Sequence, residues 1–461
     1  MRKIEKLTDY PSIDLVYHLI REREDAVFLD SSLKGELGHF SVIGARPYLQ
    51  LVCKEDTLFV NGKKSTEPFL EYVKKYIENN KEDNTTGLPL VSGAIGYFSY
   101  DFGRKKDGVE SSHDERLVIP DSILCFYDIF VIEDHVNNEL YIVANGKTED
   151  AGVAISHIKE QLFDADSITA ISGHFTSKVY TDFTKEEYME AVGNMINHIV
   201  NGDIYVVNMT QQLQVASNCP PYEMFRILRQ KNPSPFGAYM DYGDFQIVCA
   251  SPERFMRVKD GRVTTRPIKG TRKRGATPED DAILRADLEN SKKEQSELLM
   301  IVDLERNDLN KVCIPGSVKV TDLFKVETYA TVFHLVSNVE GQLRGDCNVM
   351  DLIEAAFPGG SITGTPKLRA MELIDREERA RRNLYTGSIG YISLNGDCDM
   401  NIVIRTGVFK DGVYHLGVGG GITFESDLEF EFEETWQKAK ALVDVLEVEK
   451  SDGGSYEYTV R

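Results

Sequence analysis

Short runs of alternating apolar and polar residues, separated by turn signals, fill about the first 160 residues of this chain. DSILCFYDIFVIED and ELYIVANG are two such runs, and this alternation predicts half-buried strands. Helical patterning is sparse there, and FLEYVKKYIENN is its clearest case. Because the pattern weakens between 163 and 182, the sequence predicts a strand-rich N-terminal region over 1–165 and a second region after it.

The second region opens with a strong helix signal. Thr184 and Glu187 have the spacing of a capping box, and Phe183 and Tyr188 have that of a hydrophobic staple. Apolar residues then recur at helical spacing until Gly202 ends the pattern.

Two further helices are predicted in this region. One covers 281–302, and the other begins with a capping box of Ser426 and Glu429 and ends near 446. The last dozen residues are predicted to be a loose tail. Strands alternate with these helices without the regular strand–helix–strand units of a parallel sheet, so we expect an α+β fold.

Composition limits the partners of the chain. It has 461 residues, 41% of them apolar, which is enough for a sizeable core. Its 74 acidic and 53 basic residues give a formal net charge of −21. This charge disfavours nucleic acid and membrane surfaces as partners, and an anionic substrate would need a local positive pocket.

The cellular compartment is predicted to be the cytoplasm. MRKIEKLTDYPSID lacks the apolar core of a signal peptide, and no apolar run is long enough to span a bilayer. The seven cysteines are scattered and include no CxxC pair, which disfavours a disulfide framework and a zinc site.

Two Glu-x-x-Glu pairs are the first candidate site. Glu294 and Glu297 lie three apart on one predicted helix, and Glu431 and Glu434 repeat the arrangement on the other. Each pair faces one side of its helix, so together the pairs could hold Mg²⁺ in a shared cleft. Both segments are rich in charge, so an acidic face in contact with solvent is the alternative.

Glycine clusters form a second candidate. Gly359 and Gly360 lie in FPGGSITGTPK, and Gly419, Gly420 and Gly421 lie in GVGGGITFES before a predicted helix. Exposed backbone N–H groups at such a position bind anions, although a tight structural turn would give the same pattern.

Isolated charged residues in strand-like segments are a third candidate. Arg405 has apolar neighbours in MNIVIRTG and needs a carboxylate partner, either from a ligand or from the protein. Lys269 lies in a basic segment, where crowding by cations can favour a neutral, nucleophilic amine. His334 and Glu253 are each open to a structural explanation, as a core histidine and a salt-bridging strand end.

Taken together, these segments resemble the chorismate-utilising enzymes. PIKGTRKRG, SELLMIVDLERNDL, HLVSNVEGQL, AAFPGGSITGTPKLRAMELID, GSIGYISLNGDCDMNIVIRT and GGGITFESDLEFEFEET occur in the order and spacing of that family. The resemblance implies a chorismate-binding catalytic domain over 183–449, and it extends weakly into the N-terminal half. It also implies an α+β fold of two large packed antiparallel sheets flanked by outer helices.

The resemblance assigns roles to the candidate residues. Glu297 and Glu434 would be the principal Mg²⁺ ligands, with Glu294 and Glu431 assisting, and the metal would hold the ring carboxylate of chorismate. Contacts with chorismate fall to Gly270, Thr271, Ser361, Tyr385, Arg405, Gly419, Gly420 and Gly421. Among these, Arg405, Tyr385 and the glycine backbone would take the pyruvyl carboxylate. His334 would lie near the ring and its leaving group.

The resemblance also favours one branch of the family. Members that aminate chorismate at C4 typically read PIKGT, as here, whereas those that form anthranilate read PIAGT. Lys269 would then add at C2 while Glu253 protonates the departing C4 hydroxyl. Val206 replaces the lysine of water-using members and the glutamine common in ammonia-using ones, and Thr365 replaces the usual alanine.

Partners and alternatives follow from the same resemblance. No glutaminase nucleophile motif is present, so ammonia would come from a separate glutamine amidotransferase subunit. NPSPF and the Leu29, Asp30 and Ser31 segment resemble the tryptophan feedback pocket of anthranilate-forming members, which is the competing prediction. An inactive chorismate-binding scaffold is a third possibility, although no predicted metal carboxylate is missing.

Overall fold

The computed structural model describes residues 1–163, 174–329, 332–450 and 456–460. The strands in these residues are β1 (Lys3–Leu7), β2 (Val27–Asp30), β3 (Phe40–Lys54), β4 (Thr57–Val60), β5 (Lys63–Lys64), β6 (Gly93–Phe98), β7 (Ser122–Asp134), β8 (Glu139–Ala144), β9 (Ser177–Thr181), β10 (Val206–Ser217), β11 (Phe236–Asp241), β12 (Gln246–Ser251), β13 (Arg254–Lys259), β14 (Arg262–Thr265), β15 (Ile268–Lys273), β16 (Lys319–Thr328), β17 (Val332–Gln342), β18 (Gly364–Thr365), β19 (Ser388–Ser393), β20 (Cys398–Asn401), β21 (Thr406–Lys410), β22 (Val413–Ile422) and β23 (Tyr458–Val460). The α-helices are α1 (Ile13–Ile20), α2 (Phe69–Asn79), α3 (Tyr100–Lys106), α4 (Ala151–Phe163), α5 (Lys185–Val200), α6 (Pro221–Lys231), α7 (Pro278–Asn290), α8 (Lys292–Asn310), α9 (Val349–Ala356), α10 (Lys367–Glu377) and α11 (Leu428–Val445).

Two antiparallel sheets share the long strands β3 and β7. One half of this strand pair continues through β2, β11, β12, β21, β22 and β10. The other half continues through β6, β19, β20, β13, β14 and β17. β7 is buried over its whole length because both of its faces are covered. The predicted α+β fold with large antiparallel sheets is confirmed.

Two apolar layers hold the sheets in place. The first lies between the sheets and contains Ile95 and Tyr97 of β6 together with Met240 and Ile247 of β11 and β12. No helix residue belongs to this layer in the described ranges. The second joins the outer faces of the sheets to the helices, with α8 packed on β17 and α11 on β22. This packing places α8 and α11, with their paired carboxylates, beside the strands that form the candidate site.

The predicted helices at α2, α5 and α11 are confirmed, whereas one predicted helix is divided in two and one predicted cap residue is wrong. α5 has the predicted capping box, and the Phe183 and Tyr188 rings pack edge to face at 5.7 Å. The single helix predicted over 281–302 is two helices, because Ser291 ends α7 and its side chain caps α8. Asp427, not Ser426, caps α11.

The predicted boundary between two regions stays a prediction. Residues 164–173, where most of the predicted seam falls, lie outside the described residues. Strands from both sides pair directly, β2 with β11 and β6 with β19. The loose tail was wrong for 456–460, since Tyr456 and Tyr458 pack on Trp436 at 5.6 and 5.1 Å. Within the described ranges, no helix has the length and apolarity to cross a membrane.

Candidate active site

A bulge in β15 directs Lys269 into a cleft between α8, β22 and the turn at 360–362. The pairing of β15 with β17 shifts register between Lys269 and Thr271, and Gly270 takes a φ of +73° there. A Cβ at Gly270 would lie 2.9 Å from the Glu294 carboxylate, so a larger residue would collide with it. The bulge leaves Lys269 Nζ 3.4 Å from the backbone oxygen of Ser361.

Ser361 connects Lys269 to Glu253. Its hydroxyl donates a 3.0 Å hydrogen bond to Glu253 Oε1, and both side chains are buried. Burial raises the pKa of Glu253, while Lys269 and the Ser361 hydrogen bond oppose the rise. Glu253 can therefore keep its proton more readily than a surface carboxylate, as a general acid must.

His334 and Thr271 form the neighbouring wall. Thr271 Oγ1 lies 2.9 Å from His334 Nδ1 across the β15–β17 pair. Burial, and then the charges of Arg405 and Arg266, lower the pKa of His334 to about 4. The imidazole is therefore neutral near pH 7 and can donate or accept a hydrogen bond beside a bound ring.

Arg405 does not lie in a strand as predicted; it lies at a bend before β21 with a φ of +50°. Burial lowers the pKa of Arg405, and Glu253 is the charged group that acts against this. Neither an ion pair nor a side-chain hydrogen bond is formed by its guanidinium with any described residue. A half-buried fork of donors without a partner suits a planar carboxylate.

The predicted crowding of Lys269 by cations is offset in the structure. Arg266, Arg272 and Arg274 each pair with a carboxylate. Arg272 Nη1 also donates to Glu294 Oε1 at 3.3 Å. The basic segment is thus largely neutralised by acidic neighbours.

The glycine run at 419–421 was predicted wrongly as a loop at a helix start. All three residues lie within β22 and pair with β10. A Cβ at Gly420 would lie 2.6 Å from Glu434 Oε2 and 3.1 Å from Glu431 Oε2, and one at Gly421 would lie 3.3 Å from Lys269 Nζ. These glycines therefore let the strand approach the carboxylates and the lysine closely.

Tyr385 packs on β22 at Gly417, four residues before Gly421. A Cβ at Gly417 would lie 2.1 Å from Tyr385 Cγ, so the ring lies directly on the Gly417 backbone. Burial raises the pKa of the Tyr385 hydroxyl well above its usual range. Tyr385 and Lys269 thus mark the two ends of a strand surface formed by β22 and β10.

The four predicted metal ligands flank the end of β22. Glu297 and Glu431 are buried, whereas Glu294 and Glu434 are partly exposed. Burial raises the pKa of Glu297 to about 6 and also raises that of Glu431, and neighbouring carboxylates add to both shifts. Lys438 Nζ donates to Glu434 Oε2 at 2.9 Å.

The chemistry of these four carboxylates suits a hard cation. Buried carboxylates with raised pKa values are stabilised by a nearby cation, and oxygen ligands suit Mg²⁺. Across the described residues, however, no three His, Cys, Asp or Glu side chains are drawn together closely enough to hold a metal ion. Lys269, Lys438 and Arg272 partly balance the carboxylate charge instead.

Glu305 was missed by the sequence analysis. It lies on α8, eight residues after Glu297, and accepts a 2.5 Å hydrogen bond from Thr265 Oγ1. Burial raises the pKa of Glu305 to about 8, and the charge of Glu253 contributes. Its position on the same face of the helix as Glu297 was a signal available in the sequence.

The segments that resemble a feedback pocket also meet in space. Asp30 pairs with Gly237, and Ser31 Oγ donates to the backbone oxygen of Pro235 at 2.8 Å. Leu29, Asp30, Ser31, Pro235 and Phe236 line one cavity between β2, β11 and β19.

These residues lie in a region that matches one known family. The sequence profile described as chorismate binding enzyme matches residues 24–444. The chain therefore belongs to this family and is a chorismate-utilising enzyme.

Its relatives carry two different names. The anthranilate synthase component 1 of Cereibacter sphaeroides is 36% identical over 93% of this chain and 91% of the relative. The aminodeoxychorismate synthase component 1 of Bacillus subtilis is 34% identical over 94% of each chain. The crystal structure of anthranilate synthase component I from Streptococcus pneumoniae is similar with a TM-score of 0.80 and 29% identity, over 89% of this chain and 93% of that one.

Proposed function

We propose that the protein aminates chorismate at C4 and releases 4-amino-4-deoxychorismate, as component 1 of an aminodeoxychorismate synthase. The observation that carries this proposal is the convergence of Lys269 and Glu253 on Ser361, at 3.4 and 3.0 Å. An amine nucleophile and a buried carboxyl group are the two groups that covalent substitution at an allylic alcohol requires.

The proposed reaction has two substitutions. The Lys269 amine forms a bond to C2, both ring double bonds shift by one position, and the C4–oxygen bond breaks so that the hydroxyl leaves as water with a proton from Glu253. Ammonia then forms a bond to C4, both double bonds shift back, and the C2–nitrogen bond to Lys269 breaks. The proton that ammonia loses returns to Glu253 or Lys269. Neutral His334 borders the ring and excludes bulk water from it.

Binding would rely on two groups of residues. Arg405 would pair with the pyruvyl carboxylate, beside Tyr385 and the backbone of Gly419 to Gly421. Glu297 and Glu434, with Glu294 and Glu431, would hold Mg²⁺, which supplies positive charge for the ring carboxylate.

Ammonia would come from a separate glutamine amidotransferase subunit in the cytoplasm. The word component in the names of both relatives describes proteins that act with another chain. Ammonium at high concentration should replace this partner in an assay.

Anthranilate synthesis is the second candidate. Relatives with that name are as similar as those named aminodeoxychorismate synthase, and the segments that resemble a feedback pocket line one cavity that includes Asp30, Ser31 and Phe236. Lys269 argues against it, because its amine would occupy C2, where anthranilate synthesis requires ammonia.

Product analysis separates the two candidates. The purified protein is incubated with chorismate, Mg²⁺ and ammonium, and products are identified by chromatography and mass. A second incubation without ammonium is digested and mapped for an adduct on Lys269. Lys269→Ala should abolish the adduct and most C4 amination, while Lys273→Ala, an exposed lysine on the same strand, should not. Anthranilate as the main wild-type product, with no adduct, would overturn the proposal.

A further inference from the structure

Two buried side-chain oxygens on β10 and β18 have no hydrogen-bond partner in the described part of the chain. They are Asn208 Oδ1 and Thr365 Oγ1. A buried polar atom without a partner costs free energy, so such atoms mark either strain or a place for a bound group. An amide oxygen only accepts hydrogen bonds, so its missing partner must be a donor.

The strand register places these oxygens on the Lys269 side of the sheet. Asn208 pairs with Gly421, whose Cβ direction points at Lys269 Nζ at 3.3 Å. Side chains of residues paired in an antiparallel sheet point to the same face, with Cβ atoms about 5 Å apart. Asn208 therefore faces Lys269.

Because side chains alternate between the two faces of a strand, every second residue of β10 shares the face of Asn208. Thr210 lies two residues beyond Asn208, and Val206 lies two before it and pairs with Thr365. Further along, Gln212 pairs with Gly417 beneath the Tyr385 ring. The unpartnered oxygens therefore lie at the Lys269 end of this face, and Thr210 and Gln212 continue the same face toward Tyr385.

We propose that Asn208 and Thr365 form the subsite that binds the ammonia nucleophile beside the ring. The inference rests on the proposed function and adds the residues that select the nucleophile. Ammonia has three N–H donors and one lone pair, so an acceptor-rich subsite satisfies it and leaves the lone pair free. The carboxylates of chorismate are acceptors and cannot satisfy Asn208 Oδ1, which needs a donor. Val206 supplies no base on this face, so water bound there would not be activated.

The test compares KM for ammonium with KM for chorismate in purified protein at one pH and saturating Mg²⁺. Asn208→Leu and Thr365→Val each remove one acceptor, so KM for ammonium should rise about 3–10-fold in each, with a smaller change in KM for chorismate. Thr365→Ser restores the hydroxyl and should restore the wild-type value.

Gln211→Leu is the matched control. Gln211 Oε1 is also buried without a partner, on the same strand, but the Gln211 side chain faces the opposite way and donates to Thr435 at 2.6 Å. This variant should keep the wild-type KM for ammonium.

The outcomes distinguish this inference from the proposed function. If wild-type protein consumes chorismate with ammonium but both variants keep its KM for ammonium, the subsite is wrong and the proposed function stands. A rise confined to KM for chorismate also overturns the subsite, since these residues would then hold the substrate hydroxyl. Failure of wild-type protein to aminate chorismate rejects both. Should Asn208→Leu not fold, the Thr365 pair decides.

Discussion

Arg405 keeps a half-buried guanidinium near Glu253 without forming an ion pair with it. The bend at this residue, with its φ of +50°, turns the side chain away from the regular alternation of the strands that precede and follow it. Burying a cation costs free energy that only an anionic partner offsets. Because the protein supplies no such partner in its described residues, the arginine is suited to a carboxylate of the substrate.

Replacing Arg405 by lysine keeps the charge and removes the planar fork. Chorismate binding should weaken by about 1.5–3 kcal/mol, since two parallel hydrogen bonds become one. Equilibrium binding by calorimetry measures this directly, and Arg306→Lys, an exposed arginine on α8, is the control. Equal affinity in Arg405→Lys and wild-type protein would mean that the arginine has a structural role.

β22 and α11 are held at a distance that only glycine permits. A Cβ added at Gly420 would lie 2.6 Å from Glu434 Oε2 and 3.1 Å from Glu431 Oε2. Gly420→Ala should therefore displace both carboxylates and lower activity at limiting Mg²⁺ by about tenfold or more. A Mg²⁺ titration of activity measures the shift. Gly193→Ala on α5 is the control, because a Cβ there meets no atom within 4 Å, and it should leave the titration unchanged. An unchanged titration in Gly420→Ala would mean that Mg²⁺ binds elsewhere.

Local sequence signals predicted these elements only in part. The capping box of α5 is a contact between near neighbours, so Thr184 and Glu187 were sufficient to predict it. Ser291 was read as helical because the residues on both sides favour a helix, and only tertiary packing decides that it ends one helix and caps the next. The glycines of β22 were assigned to a loop because their partners on β10 are about 200 residues away. Glu305 was missed because its burial depends on the fold, not on its neighbours.

The arrangement of the whole chain explains how distant segments form one site. β3 and β7 belong to both sheets, so the sheets are joined and pack around the apolar layer that contains Tyr97 and Met240. α8 and α11 then cover outer faces near β15 and β22, which places one Glu-x-x-Glu pair on each side of the end of β22, across about 140 residues of sequence. The family resemblance predicted the large antiparallel sheets, which composition and periodicity alone did not, and the metal site stays a prediction.

The net charge of −21 gives the last prediction. Chorismate carries two carboxylates, so the overall field of the protein repels it, while Arg405, its proposed partner, would attract it locally. Salt shortens the Debye length from about 30 Å at 10 mM to about 8 Å at 150 mM, which screens the distant acidic surface more than contacts in the partly buried site. With Mg²⁺ saturating and ammonium constant, kcat/KM for chorismate should therefore rise about two- to fivefold as potassium chloride is added over this range. A steady fall in kcat/KM would show instead that the local positive site dominates the approach of the substrate. Arg405→Lys, which keeps its charge, should show the same salt dependence as wild-type protein from a lower starting value.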